Sequence, residues 1–199
     1  FSQDTIKLMT YNLLNYDNTD SIRDSEFRVI VSSVNPDIMV VQEIKSQGAV
    51  DQFLSNVMNK FGQTYKAGTF IDAYDTDNAI FYKPSKFDFF SNIPIKTTHR
   101  DINEFTLIHL LPKVTLHIFS VHLKSSTGSA NEAQRASEVD SLRKRSNAFP
   151  PGTNFIVCGD FNIYNSSEQA YLKLLQNNTS DEGNFIDPIT MSGSWNNSS

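Results

Sequence analysis

An aspartate and an asparagine two residues apart, at the end of an apolar run, are the first residues here whose types and spacing suit chemistry. They close the stretch Phe155-Ile156-Val157-Cys158-Gly159-Asp160-Phe161-Asn162. Four apolar residues are too few for a helix of their own and read as a buried strand. Strand alternation would put Asp160 and Asn162 on one side of the backbone. An acceptor-only carboxylate beside an amide that donates and accepts suits holding a water or hydroxide next to an anionic substrate. A second carboxylate in place of the amide would repel a phosphate. The same residues after a glycine also make an Asx turn that merely ends a strand, so the pair alone does not decide the matter.

Three other apolar runs end in polar residues of the same chemical kind. Thr5 to Leu14 carries Tyr11-Asn12, Asp37 to Glu43 ends in Gln42-Glu43, and the strand over 114–123 runs into Ser120-Val121-His122-Leu123-Lys124-Ser125. Two carboxylates, side-chain amides and a histidine suit a hard divalent ion, Mg²⁺ or Mn²⁺, held by few protein oxygens with the rest left to water and substrate. Soft zinc-type ligands are missing, with no Cys pair and no His-x-x-x-His.

The elements that must position these ends can be read in order. Ser21-x-x-Asp24 opens a helix as a capping box, with Phe27, Ile30, Val31 and Val34 on one face, and Asn35-Pro36 stops it. Ala49, Val50, Phe53, Leu54, Val57, Met58 and Phe61 form the stripe of a second helix, closed by Gly62. From Tyr65 to His122 short β-rich runs alternate with turns: 65–70, 78–82, 87–95, 104–111 and 114–123. Ser129-x-x-Glu132 caps a helix to Asn147, and Ser166-x-x-Gln169 caps a last one. Order β-α-β-α, antiparallel strands, then α-β-α predicts two packed sheets with helices outside, as one domain over 1–199. His109 and His117, at mid-strand, read as core histidines satisfied by backbone. Arg143-Lys144-Arg145 reads as a solvated helix face, and Phe87, Phe89 and Phe90 as core.

The composition sets outer bounds. The 199 residues are 39% hydrophobic and 20% charged, an ordinary globular balance. No run approaches the roughly 18 apolar residues of a membrane span. A net charge of −5 argues against holding polyanions by bulk electrostatics, though a bound cation would reverse the local field. The single cysteine, Cys158, excludes an internal disulfide and reads as a small core residue. A start at Phe1, without Met and leading into a strand, suits a mature secreted or periplasmic protein after signal cleavage, and a domain boundary would look the same.

Taken together, Tyr11-Asn12, Gln42-Glu43, His122-Leu123-Lys124 and Gly159-Asp160-Phe161-Asn162, each after an apolar strand, resemble the endonuclease/exonuclease/phosphatase superfamily. The resemblance runs from Thr5 to about Asn196, and Thr10 to Tyr16 with the His-Leu-Lys-Ser run looks most like its secreted bacterial nuclease-like branch. It implies an α+β fold of the deoxyribonuclease-I type, a four-layer α/β/β/α sandwich of two mixed, mainly antiparallel sheets. It also implies roles. Glu43 would be the principal metal ligand, with Asn12 beside it in the metal shell and orienting Asp160. Asp160 and Asn162 would position the attacking water and the phosphate oxygens. His122 would donate to the phosphoryl oxygens or protonate the leaving group. Asn78, taken over Asp75 and Asp77, would pair with the histidine or contact substrate, and Lys124 is open between touching a phosphate and being solvated.

The resemblance breaks late in the chain. Family members close the site with an aspartate on a late strand and a terminal Ser-Asp-His. After Asn162 the later aspartates are Asp181 and Asp187, neither in the expected run, and no histidine follows His122. The chain therefore reads as C-terminally truncated, with its last strands missing and an unpaired sheet edge that invites self-association. The expected function is a divalent-metal-dependent phosphodiester hydrolase, an extracellular endonuclease type acting on DNA or RNA. The alternatives are a phosphomonoesterase or a lipid or inositol phosphodiesterase of the same fold, and a non-catalytic phosphate- or metal-binding module.

Overall fold

A computed structural model describes residues 5–60, 62–73, 75–177, 183–189 and 191–195. Phe61 and Asp181 lie outside the described residues. The strands are β1 (Leu8–Tyr16), β2 (Ile38–Ile44), β3 (Lys66–Ala67), β4 (Asp77–Tyr82), β5 (Phe87–Ile95), β6 (Ile102–Leu110), β7 (Lys113–His122) and β8 (Asn154–Asp160). The helices are α1 (Asp24–Val34), α2 (Gln47–Phe53), α3 (Ser129–Ser146) and α4 (Gln169–Leu175). A π-helical stretch over Leu54–Met58 prolongs α2.

The strands form two four-stranded sheets, ordered β1-β2-β4-β3 and β5-β6-β7-β8. β1 pairs parallel with β2, and β7 parallel with β8; the other pairs are antiparallel. Each parallel pair is joined through a helix, α1 or α3, because parallel neighbours need a long crossover. The apolar residues sort by strand alternation into three cores. Met39, Val41 and Phe81 face Phe27, Val31 and Phe53 of α1 and α2. Ile38, Val40 and Ile80 face Phe105, Leu107 and Ile118 between the sheets. Phe119 and Val121 face Val139, Leu142 and Leu174 of α3 and α4. The layers run helix, sheet, sheet, helix: the expected α+β sandwich of mixed, mainly antiparallel sheets.

Several local expectations need correction. The run over 65–70 contributes only Lys66–Ala67 to the ladder. None of the three capping boxes forms. Gly128 rather than Ser129 precedes α3, Glu168 precedes α4, and neither helix has a side-chain cap. Ser166 instead accepts the Gly193 N–H at 2.9 Å. The side-chain cap that does form is Ser46, whose Oγ accepts from Ala49 N–H.

Of the basic cluster of α3 only Lys144 is solvated as expected; Arg143 and Arg145 turn to partners within the protein. Arg143 is buried and donates to the carbonyls of Lys173, Leu174 and Gln176, tying α3 to α4. Arg145 lies on the fully buried Glu104, which also meets His117 Nδ1 at 2.8 Å. His117 is therefore satisfied by a carboxylate, whereas His109 is satisfied by backbone, the Pro112 carbonyl at 3.0 Å. Phe87 is core but Phe90 is exposed. Cys158 is buried, and burial pushes its thiol up to about 12.

Candidate active site

The chemistry-bearing residues converge because strand alternation and register agree. Leu8 packs between the sheets, so Thr10 and Asn12, at even spacing from it on β1, take the same face. Asn12 pairs with Gln42 on β2, and His122 with Asp160 across β7 and β8. Gln42 Nε2 reaches Ser120 Oγ at 3.2 Å, joining the two sheets one step below the site. Backbone turns then aim the ends. Leu14, Asn15, Glu43 and Asn162 all have left-handed φ values, 51°, 57°, 60° and 49°, a conformation asparagine tolerates better than most residues. Gly159, at φ 135°, is required for another reason: a Cβ there would lie 2.1 Å from the Val121 carbonyl oxygen.

At the centre is the Asn12 amide. Its Nδ2 donates to Glu43 Oε1 at 2.8 Å and to Asp160 Oδ2 at 3.0 Å. Its Oδ1 accepts the Leu14 N–H at 2.8 Å, and Glu43 Oε2 accepts the Asn15 N–H at 3.0 Å. His122 Nε2 stands 3.7 Å from Glu43 Oε1 and 3.9 Å from Asp160 Oδ2. Those separations are too long for hydrogen bonds, so this nitrogen is open to a third group. Burial, then the charge of Arg100, holds the His122 imidazole below its usual range, against the pull of Asp160, Glu43 and Asp75. A neutral ring is favoured at neutral pH.

Asn162 reaches the site differently from the simple alternation expected. With its left-handed φ, its N–H closes onto Asp160 Oδ1 at 3.1 Å and its Nδ2 donates to the Leu123 carbonyl at 3.0 Å. The Asx turn and the polar pair are the same object. Asn78 is buried at the start of β4 and donates to Asn103 Oδ1 at 2.9 Å and the Asp101 carbonyl. Lys124 engages through its backbone: its N–H donates to Glu138 Oε2, and its carbonyl accepts from Arg135. Arg135 is wholly buried against Glu168, which in turn accepts the Tyr164 N–H. The loops that follow His122 and Asp160 are thereby pinned to one another. Arg135, Glu138 and Glu168 were not legible as site supports, since their partners lie in other elements.

The donor set fits a hard divalent cation. Glu43 offers a carboxylate fixed from two sides, with the Asp160 carboxylate on the other side of the same amide. Among the described residues no group of three or more His, Cys, Asp or Glu side chains is disposed to hold a metal ion. Asn12 spends its amide hydrogens on the carboxylates, so its part is bridging, with one oxygen lone pair left for a metal.

Two four-stranded sheets face to face thus carry, at their strand ends, a carboxylate–amide–carboxylate bridge and a histidine held below its usual range. The family model described as the Endonuclease/Exonuclease/phosphatase family matches residues 9–197, and the chain belongs to that family. No curated protein matches the sequence closely enough to count as a relative. Among solved structures, a truncated Caenorhabditis elegans TDP2 is similar at 20% identity and a TM-score of 0.59, over 79% of this chain and 62% of that one. D. rerio TDP2 complexed with single strand DNA product is similar at 16% identity and a TM-score of 0.58, over 81% and 62%. The Bacteroides thetaiotaomicron mannosyl-6-phosphatase Bt3783 is similar at 21% identity and a TM-score of 0.61, over 85% and 69%. The chain thus spans under two thirds of the length of both TDP2 structures. These likenesses support the deoxyribonuclease-I-like fold.

Proposed function

We propose that this chain is a Mg²⁺- or Mn²⁺-dependent phosphodiester hydrolase of endonuclease type acting on a nucleic acid strand. One observation carries the proposal: a single amide, that of Asn12, holds Glu43 and Asp160 together beneath the open Nε2 of His122. Glu43 would hold the cation, with Asn12 as its neighbour, and the cation would offset the negative charge that builds on the phosphate. Asp160 accepts a hydrogen bond from the attacking water, and the Asn162 turn fixes the carboxylate's direction. His122 donates from Nε2 to a phosphoryl oxygen or to the leaving oxygen. Lys124 lies two residues beyond His122, and its side chain is assigned to an outlying phosphate.

The single-strand DNA product in the D. rerio neighbour favours a nucleic acid substrate. The mannosyl-6-phosphatase neighbour favours a second reading, a sugar phosphomonoester. Among the described residues no helix is long and apolar enough to cross a membrane.

The test is a substrate panel with Mg²⁺ or Mn²⁺: single-stranded DNA, bis-p-nitrophenyl phosphate and mannose 6-phosphate. Cleavage of the two diesters with little release from the monoester is expected. Turnover confined to mannose 6-phosphate would replace this reading with the second.

A further inference from the structure

Buried polar atoms nearly always find partners, and exceptions call for an explanation. Among the described residues six buried side-chain nitrogens and oxygens have no hydrogen-bond partner, and five of them belong to Thr76, Asn78, Arg100 and His122. These residues sit at one end of the molecule. Extending the β6–β7 ladder past Asn103 and Ser120 sets Asp101 opposite His122 and Arg100 one step beyond. Asn78 binds the Asp101 carbonyl from β4.

Arg100 is the least satisfied of the four. Its Nη2 meets Asp75 Oδ2 at 2.9 Å, while Nε and Nη1 are buried with no acceptor. A guanidinium keeps its charge, so those donors cannot be silenced by deprotonation. Beside it is a hollow of about 450 Å³ lined by Thr76, Asp75, Asp77, Lys96, Asp101 and Arg100, among others. Thr76 is almost fully buried and its hydroxyl has no partner. The facing carboxylates are already engaged: Asp75 by Arg100, Asp101 by Lys96 at 2.6 Å, and Asp77 by the Ala73 N–H.

We propose that Arg100 and Thr76, with Lys96 at the rim, form a second phosphate subsite, which takes a phosphate group of the substrate flanking the one attacked at Asp160. The proposal rests on the phosphoester-hydrolase reading and assigns that site a substrate with at least two phosphates. Phosphate oxygens are acceptors only, which is what two free guanidinium donors and a free hydroxyl require. The second phosphate has two possible sources, the next diester of a strand or a terminal phosphomonoester.

The experiment has a binding arm and a kinetic arm, both on the whole chain. In the first, inorganic phosphate is titrated while the Arg Nε–H resonances are followed by NMR, with Arg100→Gln assigning the signal. A saturable shift of the Arg100 resonance, weakened at least tenfold in apparent affinity by Thr76→Val, is expected. Saturation elsewhere with that resonance unmoved would overturn the subsite.

In the second arm, a dinucleotide is compared with a trinucleotide and with a dinucleotide carrying a terminal phosphate. Arg100→Gln is expected to reduce the kcat/KM preference for an added phosphate by tenfold or more, chiefly through KM. Loss for the trinucleotide alone identifies a strand diester, and loss for the terminal phosphate alone identifies a monoester. An equal loss for all three substrates, or a loss tracking thermal stability, would overturn the proposal. If the parent turns over none of them, the hydrolase reading fails and the NMR arm still decides for or against Arg100.

Discussion

Replacing Asn12 probes the site at its narrowest point. The two hydrogens of a planar amide diverge by about 120°, so acceptors at 2.8 and 3.0 Å are held roughly 5 Å apart, each within ordinary hydrogen-bond range. Two carboxylates at that separation repel by about 3 kcal/mol at an effective dielectric constant near 20. Each amide hydrogen on an ionised acceptor contributes about 1.5–3 kcal/mol. Asn12→Ala removes both bonds and leaves the repulsion, and we expect kcat to fall by roughly 10²–10³-fold, the equivalent of about 3–4 kcal/mol.

Asn12→Asp separates this from a trivial explanation. It preserves an acceptor for the Leu14 N–H, and with it the turn at the end of β1, but it loses the two donors and adds a third negative charge. The assay is steady-state hydrolysis of bis-p-nitrophenyl phosphate, with melting followed in parallel. If bridging is the role of Asn12, the Asp variant is at least as impaired as the Ala variant. An Asp variant clearly more active than Ala would show that only the turn mattered, and the bridging argument would be refuted.

Three further outcomes follow from the same geometry. Glu104→Ala removes from a fully buried position the carboxylate that Arg145 and His117 share; the Arg145 side chain is 37% exposed, so water takes up part of its charge, and urea unfolding should reveal a loss of about 1–3 kcal/mol. Gly159→Ala forces a Cβ onto the Val121 carbonyl at a positive φ, so a melting temperature within a degree or two of the parent would contradict the packing described here. Asp77 is buried among Asp72, Asp101 and Asp75, and burial first, then those charges, raises its carboxyl above the usual range despite the Ala73 N–H. The folded state then binds this proton more tightly than the unfolded chain. Its contribution is full below about pH 4 and is lost as pH rises through the folded value. Asp77→Asn, read by thermal melts from pH 4 to 7, should flatten that decline and leave stability at pH 7 equal or higher.

The strand ends were legible because each apolar run closes on its polar pair, and because alternation plus parallel register brings Asn12 and Asp160 to one place. The sandwich was legible for a related reason, since doubly covered strands such as Ile38–Ile44 are apolar on both faces. What escaped the sequence depends on partners far along the chain. Arg143 looked solvated because nothing local says that the carbonyls of α4 will end against it. His117 and Arg145 share Glu104, which sits mid-strand in an unremarkable run. The capping boxes at Ser129 and Ser166 failed because Gly128 and the Gly193 amide use those positions differently. Asn162 was placed by alternation, yet its left-handed turn, which no period-two pattern encodes, decides where its amide goes. Arg100 carried no signal at all: it sits in the turn Thr97-Thr98-His99-Arg100-Asp101, whose composition is that of any exposed connection.

The most direct measurement is hydrolysis of bis-p-nitrophenyl phosphate and plasmid DNA by the parent chain and by Glu43→Gln, with Mg²⁺, with Mn²⁺ and with chelator. The account expects turnover that chelator abolishes and added metal restores, and a loss of at least about 10²-fold in Glu43→Gln, the scale of a removed electrostatic stabiliser. Turnover that survives chelator, or a Glu43→Gln chain as active as its parent, would contradict the assignment of this strand-end cluster as the metal-dependent site.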